Sequence, residues 1–180
     1  MRFATALVGL AVACGAAQAA PVVLPARDVD VTYKVPVPGG AATAVLQRLR
    51  FSAVLHKQRL DLPTSGNWMV IDFTARRMAM VRDESREVVE LAAPPTALLP
   101  GGGNAFVRVG PDKVAGLACT EWRTHDVRGA ESVVCYTDDG VLLRARQESR
   151  VLMEAVSVNY GVLDGAVFTP PAGYTHSVRE

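Results

Sequence analysis

The sequence predicts a mainly β protein: a curved antiparallel sheet with little helix. Three observations carry this. Residues 28–35 alternate strictly between polar and apolar side chains, which is the period of a half-buried strand. Short polar turns rich in Gly, Pro, Asp and Asn recur along the chain. Beyond residue 20 there is almost no helical periodicity. About eight such strands make a sheet that curls, with a closed barrel or a sandwich as the alternative arrangement.

The N-terminus has a different character. Met1-Arg2 is followed by apolar or small residues from Phe3 to Ala13, then by small residues ending in Ala17-Gln18-Ala19. A charged start, a short apolar core and an A-x-A close are the parts of a secretory signal, so residues 1–19 are expected to be removed and 20–180 to form one β-rich domain. The apolar run is too short for the roughly 20 residues of a spanning helix, and no membrane span is expected. The domain should therefore be periplasmic or secreted. Cys14 follows Leu10-Ala11-Val12-Ala13, a weaker version of a lipid-attachment site, and the reading favours cleavage after Ala19 over lipidation.

Loss of Arg2 with the signal leaves 18 Lys+Arg, from 19, against 18 Asp+Glu, so the net charge falls from +1 to zero. This neutrality argues against nucleic-acid binding and against electrostatic capture of a charged partner. Two of the three cysteines remain, Cys119 and Cys135, and an even pair in an exported protein is read first as a disulfide.

The elements follow in order. The strand 28–35 is stopped by Pro36 and Pro38-Gly39-Gly40. Residues 45–62 read as one long strand or two joined by a bend, although Ala41–Leu49 also suits a helix. Pro63–Asn67 turns into Trp68–Thr74, then Met78–Arg82 and Arg86–Leu91, an antiparallel meander. From Pro94 to Asn104 the pattern lapses, and short helices at Thr96–Leu99 or Ala105–Val109 are expected there. Strands resume at Leu117–Asp126, Glu131–Thr137, Val141–Gln147 and Val151–Tyr160, with Asp138-Asp139-Gly140 forming a tight hairpin. The segment Phe168–Tyr174 is too rich in proline for a central strand.

Three patterns taken together, Val114–Trp122, Val134–Arg144 and Phe168-x-x-Pro171-x-Gly173-Tyr174, resemble an uncharacterised family of small secreted bacterial β-rich proteins, a domain of unknown function. Trp68–Asp72 and Met78-x-Met80-Val81 fit the same pattern, so the likeness covers residues 28–175. That family has no established activity and transfers no catalytic residue. Its strand order is similar to that of LolA/LppX-like periplasmic carriers, which implies a half-barrel sheet able to hold an acyl chain.

No catalytic constellation is visible. His56, His125 and His176 are isolated from one another, without the spacing of a metal site, and no G-x-S-x-G elbow is present. Gly101-Gly102-Gly103 lacks the Lys-Ser/Thr of a phosphate loop. No enzyme, cofactor or metal is expected. The leading expectation is a non-enzymatic exported domain binding a lipid-like, apolar or amphipathic ligand, with Phe51, Trp68, Val70, Trp122 and Val156 as candidate lining residues. The alternatives are an envelope protein-interaction module, using a strand edge or residues 92–112, and soft-metal (copper) binding through Met69, Met78 and Met80.

Overall fold

The computed structural model describes residues 20–37, 43–63, 65–93, 105–125 and 129–179. The proposed signal segment, Cys14 and the expected helix at Thr96–Leu99 lie outside them. Twelve strands form one sheet that is open at both edges, and no α-helix is present among the described residues. The strands are β1 (Val29–Pro36), β2 (Ala44–Ser52), β3 (Lys57–Asp61), β4 (Trp68–Asp72), β5 (Arg77–Arg82), β6 (Glu87–Ala92), β7 (Val107–Val114), β8 (Leu117–His125), β9 (Glu131–Tyr136), β10 (Leu142–Gln147), β11 (Arg150–Tyr160) and β12 (Thr175–Arg179).

The strand order is β12-β6-β5-β4-β3-β2-β1-β11-β10-β9-β8-β7. Two antiparallel meanders, β1–β6 and β7–β11, are thus joined by the β1–β11 pair, in which Val29 lies opposite Tyr160 and Val31 opposite Val158. β12 adds to β6 in parallel. An open curved sheet replaces the closed barrel or sandwich of the alternative reading. Towards one edge, Asp112 on β7 reaches Arg144 on β10 across two intervening strands.

Several expectations need correction. Residues 45–62 are two strands, β2 and β3, joined by the turn 53–56. Helix propensity in Ala41–Leu49 gives way to strand from Ala44, because β2 pairs along all of β1. No helix forms at Ala105–Val109, whose last three residues begin β7 instead. Pro111 is tolerated in that strand because β7 is an edge, where a missing N–H breaks no ladder.

Burial divides into three clusters. The main one contains Val29, Val31, Tyr33, Phe51, Leu143 and Ala155 with the two cysteines. The second, Trp68, Val70, Val81, Val88 and Phe168, is covered by the segment after β11. There a 3-10 turn, Gly165–Phe168, is held by Arg59, which donates to the Val167 carbonyl at 2.9 Å and stacks 3.7 Å above the Trp68 ring. The third contains Trp122, Val134 and Tyr136. The Cys119–Cys135 disulfide ties β8 to β9, with Cα atoms 5.6 Å apart.

Candidate functional site

Alternation in β1 places Val29, Val31 and Tyr33 on one face, and the registers of β2 and β3 continue that face. Val31 lies opposite Leu49, which lies opposite Leu60. These side chains form one wall of a cavity of about 270 Å³. Tyr136, Val141, Leu142 and Met153 form the facing wall. The Tyr33 hydroxyl crosses between the walls and donates to the Leu142 carbonyl at 2.7 Å.

The roof is the chain segment just before β1. Val23, Leu24 and Pro25 lie over the cavity, and Leu24 and Pro25 also line an adjoining space of about 240 Å³ beside Phe51 and Phe73. The segment is latched to the β9–β10 turn. The Ala26 amide donates to the Asp139 carbonyl at 2.8 Å, and the Arg27 guanidinium donates to the Asp139 carboxylate at 2.7 Å. Arg27 also sits 3.7 Å above the Tyr160 ring, and the Tyr160 hydroxyl donates to Asp139 at 3.1 Å. Burial works against ionisation of Asp139, but the donors Thr137, Arg27 and Tyr160 outweigh it and hold the carboxyl below its ordinary range.

Among the described residues the lining of the cavity is neutral. Its polar side chains are Gln47, Gln58 and the phenols of Tyr33 and Tyr136. Burial pushes both phenols well above the ordinary tyrosine range, so each remains a protonated donor. The Tyr136 hydroxyl is shielded from solvent and has no hydrogen-bond partner among the described residues. The charges of β2 and β3 pair with one another or with carboxylates on neighbouring strands: Arg48 with Asp30, Arg50 and Arg59 with Asp61, and Lys57 with Asp72.

The five residues singled out from sequence are not brought together. Phe51 is buried in the main core and packs on Phe73 at 6.1 Å. Trp68 and Val70 belong to the cluster under the 3-10 turn. Trp122 meets Phe106 edge-on at 6.4 Å. Val156 is 48% exposed, at the irregularity where β11 passes β1. None of the five lines the 270 Å³ cavity. What sequence reasoning missed is the roof of residues 23–25 and Tyr136. The alternation of β1 signalled Val31 and Tyr33, and the Asp-Gly turn signalled Gly140.

The other candidates resolve as follows. Met69 lies opposite Met80, with Met78 two positions along β5, all half-buried. Asp72 accepts from the Ala75 amide at 2.7 Å, which helps to hold the β4–β5 turn. His56, His125 and His176 are exposed, and no group of three metal-ligating side chains occurs among the described residues. No helix of the described residues is long and apolar enough to cross a membrane.

No family model and no curated protein matches this chain. Solved structures do. An uncharacterized conserved protein from Thermus thermophilus is similar with a TM-score of 0.63 at 14% identity, covering 86% of this chain and 91% of that one. PNGF-II is similar at 0.55 and 16% identity, over 86% of this chain and 31% of that one. A chain of the MucA/MucB complex of Pseudomonas aeruginosa scores 0.53 at 13% identity, over 81% and 56%. This chain therefore spans about a third of PNGF-II and just over half of the MucA/MucB match. At such identities the likeness is one of fold: this chain shares with these proteins an architecture built on an open, curved β-sheet.

Proposed function

We propose that the protein is an exported, non-enzymatic binding domain that holds an apolar or amphipathic ligand between β1–β3 and the β9–β10 turn. The observation that carries this is a cavity of about 270 Å³ with walls of Val, Leu, Met and Tyr under a separate strip of chain. Its volume falls just below the roughly 300–1,000 Å³ of small-molecule sites, which suits a medium-length acyl chain or one ring system. Export rests on the signal-like residues 1–19. Saturable binding of Nile red, abolished by Leu49→Trp, which fills the cavity, is the expected result. A purified protein that binds no apolar probe saturably sinks the proposal.

A second reading, a protein-interaction module of the envelope, is favoured by one edge. On β7, Val107 and Val109 are 56% and 48% exposed beside an unpaired strand edge, the setting in which a partner strand adds. A fold-similar chain is also solved in a MucA/MucB complex. Pull-down from envelope extract, lost when Val109→Lys charges that edge, supports this reading; its persistence in that variant argues against it.

A further inference from the structure

We propose that the cavity selects an uncharged amphiphile: its hydrocarbon lies against Val31, Leu49 and Leu60, and a neutral oxygen-bearing group takes hydrogen bonds from Gln47 or Gln58 and Tyr136. This rests on the reading of the cavity as a ligand site and adds the class of ligand.

Charge comes first. No described side chain lining the cavity is ionised at neutral pH. The cations of β2 and β3 are committed to Asp30, Asp61 and Asp72, and Arg27, on the roof segment, is bound to Asp139. His56 is exposed and borders the adjoining space instead. A carboxylate, phosphate or ammonium drawn into the cavity would therefore meet no counter-ion. Burial of an unpaired ion costs far more than burial of a hydrogen-bonded neutral group.

Hydrogen bonding comes second. Gln47 and Gln58 lie at opposite ends of the β2–β3 wall, since Leu49 faces Leu60 and Gln58 faces Phe51. Neither amide makes a side-chain hydrogen bond among the described residues, so each offers a donor and an acceptor to the space. Tyr33 already donates its hydroxyl to Leu142, whereas Tyr136 has a buried donor with no acceptor among the described residues. Such a group carries the penalty of an unmade bond, which an ester, amide or alcohol oxygen on the ligand would relieve. Apolar walls, free amides and one orphaned phenol favour an uncharged polar group over both an ion and a bare alkane.

Displacement of Nile red at pH 8 by decanamide, decanoate and n-decane tests this. Decanamide is expected to compete at least tenfold better than decanoate, and Gln47→Leu/Gln58→Leu to bring decanamide down to the level of n-decane. Tyr136→Phe should weaken decanamide several-fold while leaving the melting temperature of the free protein equal or higher, since the lost hydroxyl had no partner. Decanoate matching decanamide overturns the selectivity while leaving the cavity a ligand site. A Tyr136→Phe protein that melts lower and binds decanamide unchanged also overturns it. Absence of saturable Nile red binding removes the underlying reading as well.

Discussion

A β-carbon added to Gly140 would overlap the carbonyl oxygen of Leu24. The backbone of the β9–β10 turn and the roof of the cavity are thus in contact only because residue 140 has no side chain, and its φ of +90° independently favours glycine. Gly140→Ala should push the roof segment off the turn. The expected outcome is faster hydrogen exchange at the Ala26 amide and a loss of about 1–3 kcal/mol of stability, since both a clash and a left-handed conformation are imposed. An Ala26 amide as protected as in the parent protein would show that the roof does not depend on this contact.

The disulfide stabilises through chain entropy. Cys119 and Cys135 are 16 residues apart, and closing a loop of that size is worth about 3 kcal/mol. Cys119→Ala/Cys135→Ala should lose about that amount by urea denaturation, and reductant should destabilise the parent but not the double variant.

Asp61 holds two guanidiniums, Arg50 and Arg59. Arg50 is buried, and its Nε has no partner of its own among the described residues. Asp61→Asn would leave that charge uncompensated, at a cost of about 3 kcal/mol. Asp61→Asn/Arg50→Leu should recover most of the loss. A single variant as stable as the parent would mean that solvent already compensates Arg50.

Asp28 supplies the acid-sensitive joint. Its carboxylate accepts from the Ala53 amide at 2.8 Å, the Leu163 amide at 3.0 Å and the Ser52 hydroxyl at 3.1 Å, binding the β2–β3 turn to the segment after β11. Burial opposes its ionisation, but these donors outweigh burial and hold the group below the ordinary carboxylate range. A depressed carboxyl stabilises the fold fully above its unfolded-state value, and that contribution fades as pH falls through the folded-state value. Stability should therefore drop below about pH 4, and Asp28→Asn should flatten this acid limb while costing on the order of 2 kcal/mol at neutral pH. An unchanged acid limb in the variant would assign the sensitivity elsewhere.

Local features of the fold were legible. Alternation revealed β1, and the turns at 63–67, 83–85 and 138–140 separated their strands, with β6 starting one residue later than expected. β7 was missed because Gly110-Pro111 reads as a break unless the strand is known to lie at an edge, which no local pattern states. β12 was missed because its partner, β6, lies far earlier in the chain and runs parallel to it. The cavity was illegible for the same reason: Val31, Leu49 and Tyr136 meet only after β1 has paired with the distant β11. Sequence reasoning therefore turned to the bulky aromatics Trp68 and Trp122, which fill packed clusters instead.

The β1–β11 pair also orders the assembly of the molecule in time. Every other antiparallel pairing joins strands that are consecutive in the chain, so both meanders can zip from their own turns with little loop-closure entropy. The β1–β11 seam has no such help, because β2 to β10 lie between its two strands in sequence. It should form late and set the refolding rate, with Val31→Ala slowing refolding and mutations in the β4–β6 hairpins chiefly hastening unfolding. Because the cavity straddles this seam, the ability to bind would arrive with the last cooperative step of folding: an unfinished chain would hold strands, but no ligand.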